Sequence, residues 1–294
     1  MQNTKFIEAH VHMDGWDKQT REYVINSGVE QFWVMDTHME ESDTPRHVKK
    51  DVILKASREM PDKIIAFARI DWNKGSGQVL EYFKSGFTGL KAIFPPRAYN
   101  DTLYLKIYAE AEKLKMPILF HTGIIAHSID KKKDPEKRCY GPVNMQPVYL
   151  ASIADMFPEL VIIGGHCGFP FTEQTDHNLH YYPNIFHDIS GYLPVEWLIK
   201  VLGKKTCPFH KGPHLFTEKF LFATDHSIGN RSSELWGMER RKALWYFLTN
   251  ICGRYYAWSD DTDKIFYYNA KNLMKKILKA QIKIRKNIKS QNNR

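Results

Sequence analysis

Cysteine is scarce in this chain. Four residues, Cys139, Cys167, Cys207 and Cys252, stand far apart with no Cys-x-x-Cys pair. That spacing excludes a disulfide framework and suits reduced thiols in a cytoplasmic protein. No apolar run approaches the roughly 20 residues that a membrane span needs. Met1-Gln-Asn-Thr-Lys5 leads straight into an apolar segment and has no signal-peptide pattern. No Gly-rich phosphate fingerprint follows any predicted strand, which leaves a nucleotide-binding open sheet without support. No internal repeat or low-complexity linker interrupts residues 1–278, so one domain is expected there. Acidic residues are missing from the end: Lys271–Arg294 holds nine Lys or Arg and no Asp or Glu. The formal charge of +9 therefore belongs to that segment, and the rest of the chain has 33 basic and 33 acidic residues.

The remainder reads as alternating strands and helices. With 43% hydrophobic residues, the chain has ample material for a core. Apolar runs rich in β-branched residues recur near 5–12, 29–36, 63–70, 87–94, 117–121, 160–166, 184–190 and 219–225. Helical patterns separate most of them: 17–27, 44–60, 77–85, 101–115, 145–157, 195–202 and 235–252, with a last helix from Ile265 onward. Strands that alternate with helices form a parallel sheet. Eight units in this length predict a (β/α)8 TIM barrel. A polar stretch, Asp130–Arg138, reads as a long loop of the lid or substrate type. The segment 279–294 is expected as a basic C-terminal tail, with Leu273, Ile277, Ile284 and Ile288 on one stripe. A membrane-surface or nucleic-acid role is the rival reading for such a helix, and the absence of interleaved aromatics speaks against it.

Several of these runs end in a residue type that binds metals. The first ends in His10-Val11-His12, and side chains two apart on a strand share a face. Neutral imidazole is a good ligand for zinc and similar ions. The fifth run ends at His121, the sixth at His166 and the eighth at Asp225. A barrel with its site on the C-terminal face requires this placement. The bland readings are barrel-interior polar residues for the histidines and a helix N-cap for Asp225. The recurrence of the pattern at four strand ends favours a site. Cys207-Pro-Phe-His210 has only one Cys and widely spaced His, too little for a second metal centre.

These motifs together resemble the amidohydrolase superfamily. They are Glu8-Ala-His-Val-His12, Gly89-Leu-Lys-Ala92, Phe120-His-Thr-Gly123, Gly164-Gly-His-Cys-Gly168 and Phe222-Ala-Thr-Asp225. The chain is most similar to the amidohydrolase-related branch, which holds small metal-dependent hydrolases, lactonases and decarboxylases related to aminocarboxymuconate semialdehyde decarboxylase. Met156-Phe-Pro-Glu-Leu160, His187-Asp-Ile-Ser-Gly191 and Tyr268-Asn-Ala-Lys-Asn-Leu273 agree, so the resemblance covers roughly residues 4–278. It implies that His10, His12, His121 and Asp225 bind one Zn²⁺, or Mn²⁺ in its place. It also implies that His166 and Asp225 are catalytic. Zinc can lower the pKa of bound water to ~7, Asp225 could take the water's proton, and His166 could donate to a developing oxyanion.

Glu8 stands where the family's pattern begins with Asp, and is expected either to reach the metal or to orient a neighbour. Lys91 lies where binuclear members carry a carboxylated Lys. A substrate-binding ammonium, or a partner for Glu8, is the preferred reading. Arg69 and Arg97 follow strands three and four and are candidates to bind a substrate carboxylate, since Arg grips such groups bidentately. His38, His127 and His226 fall in loops at the same end.

The expected function is hydrolysis of an amide, ester or lactone bond in a small carboxylate-bearing substrate. Metal-dependent decarboxylation is the alternative, towards which Glu8 leans, and a catalytically silent scaffold is a third. Such barrels commonly form homodimers, although no stripe in the sequence marks an interface.

Overall fold

The computed structural model describes residues 4–38, 47–124, 142–191, 217–252 and 262–292. The loop Asp130–Arg138, the helix expected over 195–202, the segment 206–215 and His127 lie outside the described residues. The strands are β1 Phe6–Met13, β2 Val29–Met35, β3 Ile64–Arg69, β4 Gly89–Ala92, β5 Ile118–Phe120, β6 Ile162–Gly164, β7 Ile185–Asp188, β8 Phe220–Leu221 and β9 Ser227–Ile228. They form one parallel sheet in the order β8-β7-β6-β5-β4-β3-β2-β1-β9.

β8 lies within the eighth predicted run, and β9 follows just beyond its end at Asp225. The first pairs with β7 and the second with β1. Backbone bonds from Ala9 N to Phe222 O (2.9 Å) and from Asp225 N to His10 O (3.0 Å) join the same run to β1 along its length. The sheet thus curls round to its own first strand in the (β/α)8 TIM-barrel manner.

The helices are α1 Lys18–Asn26, α2 Lys50–Glu59, α3 Gly77–Ser85, α4 Leu105–Lys113, α5 Val148–Met156, α6 Thr172–Tyr181, α7 Arg231–Tyr246 and α8 Asn269–Asn292. Local chemistry sets several of their ends. The Asp17 side chain accepts the Thr20 N–H at the start of α1, and Asn230 accepts the Ser233 N–H at the start of α7, as N-caps do. Gly28 closes the first unit with φ +74°, a conformation that favours glycine. The helix expected from Thr44 begins at Lys50, and residues 39–46 lie outside the described residues.

Two apolar layers follow from the alternation of strand side chains. Phe32, Val34, Ala66, Leu90 and Phe120 face outward and pack with Val24, Ile53, Phe83, Tyr108 and Leu150 of the surrounding helices. Ile7, Trp33, Phe67, Leu119 and Ile163 face the barrel interior. Burying each such side chain stabilises the fold by about 1.5–3 kcal/mol relative to exposure.

The interior layer continues into Ala270, Leu273, Met274 and Ile277 of α8. Farther along, the Gln281 amide donates to Thr88 O (2.7 Å) and Lys115 O (2.9 Å), just before β4 and β5 begin. The Arg285 guanidinium donates to the carbonyls of Phe83 and Phe87 around the end of α3. Helix α8 therefore crosses the N-terminal mouth of the barrel, opposite the end where β1, β5 and β6 deliver their histidines. The division expected at residue 278 falls inside this helix. Ile284 and Ile288 still pack against the core, while Lys275, Lys276, Lys279, Lys283 and Lys286 are exposed.

Register on β1 is irregular. Glu8 pairs with Phe32 and Val11 pairs with Val34, so three steps on β1 match two on β2. This is a bulge, which re-aims the side chains beyond it. Glu8 thus shares the outward face of Phe32, whereas His10 turns inward.

Candidate active site

The C-terminal ends of β1, β5 and β6, with the run after β8, bring four histidines and one aspartate together. His10 Nε2 lies 3.5 Å from Asp225 Oδ1, and His12 Nε2 lies 3.0 Å from the same oxygen. His166 Nε2 lies 3.2 Å from His121 Nδ1. His10, His166 and Asp225 each offer one ligand atom, all within 4.8 Å of one another. The compact set therefore contains His166, which the sequence placed beside the metal, with His12 and His121 flanking it.

Two of these residues leave ordinary backbone space. His166 has φ +57° and Asp225 has φ +66°, a left-handed conformation that costs a non-glycine residue energy and clusters at functional sites. Both lie just beyond their strands. His166 is in the short turn Gly165–Gly168, and Asp225 lies between β8 and β9.

The far nitrogen of each ring is already engaged. His12 Nδ1 faces the carbonyl of Met35 at 3.2 Å, and His121 Nε2 faces that of Ile124 at 3.0 Å. A carbonyl only accepts, so those nitrogens carry the proton. His10 Nδ1 faces Asp188 Oδ2 at 2.9 Å, and His166 Nδ1 faces Ser190 Oγ at 2.9 Å. With the far nitrogens as donors, the near nitrogens are left as acceptors, facing one another, the Asp225 carboxylate and, for His10, the Lys91 ammonium. Lone pairs 3.0–3.5 Å apart repel unless a cation lies among them, so the donor set fits a divalent metal.

Electrostatics agree with neutral His10 and His121 rings and an ionised acid. Burial pushes His10 down to about 4, helped by Lys91 and opposed by Asp188. Burial likewise holds His121 well below its usual value, with His166 adding to the effect. For Asp225, burial raises the pKa, but His166, His10 and His12 outweigh it and hold the carboxyl well below the usual range. Lys91 is fully buried with its Nζ 2.9 Å from His10 Nε2. Burial lowers it to about 8, against the pull of Asp225 and Asp188.

The other expected residues divide. Glu8 is fully buried and accepts from Thr224 Oγ1 at 3.1 Å. Thr224 in turn contacts His226 (2.7 Å), and His226 meets the Tyr23 hydroxyl (3.0 Å). Glu8 thus belongs to a polar layer between barrel and helices. Its Oε1 has no hydrogen-bond partner among the described residues, and burial raises its pKa to about 7. The Arg69 guanidinium donates to His38 O, and its backbone N–H donates to Asp36 Oδ2. Arg97 is 63% exposed, with its guanidinium 3.6 Å from Asp101.

Two groups escaped the sequence reading. Asp188 closes β7, fully buried, as the partner of His10. The rule of ligand-type residues at strand ends would have flagged it. His47 stacks on His12, with ring centroids 4.7 Å apart, and its Nδ1 lies 2.7 Å from Asp14. No spacing in the sequence announces that contact, because it comes from a loop.

Comparison with known proteins gives a consistent picture. The model of a family described as amidohydrolase matches residues 80–228. Among solved structures, the chain is similar to a TIM-barrel protein of Bordetella bronchiseptica, with TM-score 0.65, 15% identity, and coverage of 93% of this chain and 99% of that one. It is also similar to 2,6-dihydroxybenzoate decarboxylase from Rhizobium, with TM-score 0.58, 18% identity, and coverage of 94% and 99%. Dihydroorotase from Campylobacter jejuni gives TM-score 0.54, 15% identity, and coverage of 92% and 83%. At these identities the likeness speaks to the fold. The search of curated proteins returns no match.

Proposed function

This chain belongs to the amidohydrolase family, and on that premise we propose that it is a hydrolase using one divalent cation, Zn²⁺ or Mn²⁺, against a small carboxylate-bearing amide, ester or lactone. One observation carries the reading: nitrogens of four imidazoles converge with Asp225 Oδ1, at separations of 3.0–3.5 Å. His10, His166 and Asp225 would hold the cation, with His12 and His121 completing its surroundings. Imidazole and carboxylate together suit zinc, with manganese as the harder alternative. Bound there, the cation would supply Lewis acidity and bring the pKa of water near neutrality.

The chain's own groups supply the proton handling. The Asp225 carboxyl lies well below the usual range, so it can accept a proton from water and pass it to a leaving group. His166 keeps its proton on Nδ1 for Ser190. In this arrangement it offers a lone pair at the centre, a different role from the oxyanion donor expected from sequence. Lys91 sits beside His10 with no carboxylate in hydrogen-bond contact among the described residues, and its ammonium would receive a substrate carboxylate. Arg69 is a second candidate at the end of β3. Arg97, paired with Asp101 at the surface, is the weaker substrate contact.

Decarboxylation, the activity in the name of the Rhizobium relative, is the alternative. Glu8 leaned that way in sequence, but its carboxylate engages Thr224 on the outward side of β1. Metal analysis of protein purified without added metal tests the reading, beside the His10→Ala/His12→Ala double variant. About one equivalent in the parent and none in the variant is expected. A protein that takes up no metal even on reconstitution overturns it. A substrate screen then separates the activities, since CO₂ release without net water addition marks decarboxylation.

A further inference from the structure

Asp188 takes no part in the chemistry above, yet it is fully buried in the middle of the site. Its Oδ2 lies 2.9 Å from His10 Nδ1. Its Oδ1 accepts three bonds: the backbone N–H of His166 (2.9 Å), the backbone N–H of Ser190 (3.0 Å) and the Ser190 hydroxyl. Ser190 has only one hydroxyl proton, and Asp188 receives it. The Ser190 oxygen can then only accept, and what it accepts at 2.9 Å is the His166 Nδ1–H.

The geometry points to Asp188 as the positioning residue of the site: one carboxylate, directly and through Ser190, fixes which nitrogen carries the proton in both His10 and His166. The inference deepens the cation reading and rests on it for its consequence, not for its geometry. A histidine binds a metal only through a nitrogen without a proton. By keeping both protons on Nδ1, Asp188 leaves both Nε2 atoms as acceptors: that of His10 meets Lys91 Nζ (2.9 Å) and lies 3.5 Å from Asp225, and that of His166 lies 3.2 Å from His121 Nδ1. The other two rings need no such device, because backbone carbonyls at Met35 and Ile124 hold them. Asp188 also ties three strands into one geometry. His10 comes from β1, His166 follows β6, and Asp188 ends β7 between β6 and β8. An Asn at 188 keeps the shape but carries only one accepting oxygen. If its amide group faced His10, the ring would have to accept there and move its proton to Nε2, into the cluster.

Two measurements decide the matter. Long-range ¹H–¹⁵N correlation spectra of the metal-free parent protein at pH 7.5 read the tautomer of each ring directly. His10 and His166 are both expected as Nδ1–H, and an Nε2–H form of His10 overturns the inference without any variant being made. Zn²⁺ affinity is then measured by competition with a chromophoric chelator for the parent, Asp188→Asn and Ser190→Ala. Partners behind a metal ligand are worth about 10–100-fold in affinity, and a loss in that range is expected for Asp188→Asn. Ser190→Ala should lose less and should disturb the tautomer of His166 alone. Asp188→Asn that melts like the parent when metal-free and binds Zn²⁺ equally well overturns the inference. If Asp188→Asn does not fold, Ser190→Ala and the parent spectra still decide. If the parent binds no Zn²⁺, the cation reading fails, and the tautomer spectra judge the positioning role by themselves.

Discussion

His121 Nδ1 and His166 Nε2 face each other across 3.2 Å, each with its opposite nitrogen already bonded, to Ile124 O and to Ser190 Oγ. With both opposite nitrogens as donors, these two face each other as acceptors, an arrangement that a cation beside them relieves. A divalent metal should therefore stabilise the fold. At a free concentration of about 100 times its Kd the gain is about 2.7 kcal/mol. Thermal unfolding with and without chelator checks this: Tm should fall by several degrees on metal removal, recover on adding Zn²⁺, and cease to respond in His166→Ala.

Glu8 and His12 stand in one short motif but on opposite sides of the β1 bulge. Glu8→Gln should keep the metal content of the parent, because its carboxylate engages Thr224. His12→Ala should lower it, because His12 Nε2 lies 3.0 Å from Asp225. Metal analysis of the two variants side by side is the check, and equal loss in both would place Glu8 among the ligands.

His187 should make the fold sensitive to acid. The ring is fully buried, with no hydrogen bond of good geometry among the described residues beyond a contact to the Gly164 backbone. Burial lowers its pKa from 6.5 to about 3. Between those values the unfolded chain takes up a proton that the folded chain refuses, so the contribution is fully present above pH 6.5 and is lost as pH falls towards 3. At pH 5 the loss is about 2 kcal/mol relative to pH 7. Urea unfolding at both pH values should show that difference shrinking in His187→Phe, which keeps a flat ring without the titrating nitrogens.

The end of α8 should be part of the folded barrel. Gln281 is 2% exposed and satisfies two carbonyls at the N-terminal mouth. Gln281→Ala leaves both without their partner, at a cost of about 1–3 kcal/mol. We propose further that removing residues 279–294 lowers the unfolding midpoint by more than Gln281→Ala alone, since Arg285, Ile284 and Ile288 go with it. Replacing the exposed Lys279 and Lys283 by Gln should leave the midpoint near that of the parent.

The alternation of strands and helices was legible because each strand's apolar run and each helix's periodic face record which side is buried. The histidines were legible for a related reason: a polar residue at the end of a buried run has no packing purpose there. Asp188 obeys the same rule at the end of β7. His47 was not legible, since a loop contact leaves no period in the sequence. Arg97 followed the strand-end rule and nonetheless pairs with Asp101, because position in the chain does not say which way a loop side chain turns.

The sequence by itself determined the barrel, the family and the residues from which a site is built, since local patterning and residue type depend on near neighbours along the chain. The tertiary structure alone decided how those residues face one another. A bulge in β1 turned Glu8 outward and His10 inward. Left-handed turns brought His166 and Asp225 within 4.8 Å of His10. A carboxylate 178 residues away in the chain faces the ring nitrogen of His10 that would carry the proton. Hydrogen-bond direction depends on groups that meet only when distant strands close into a ring, and no window of sequence contains both partners.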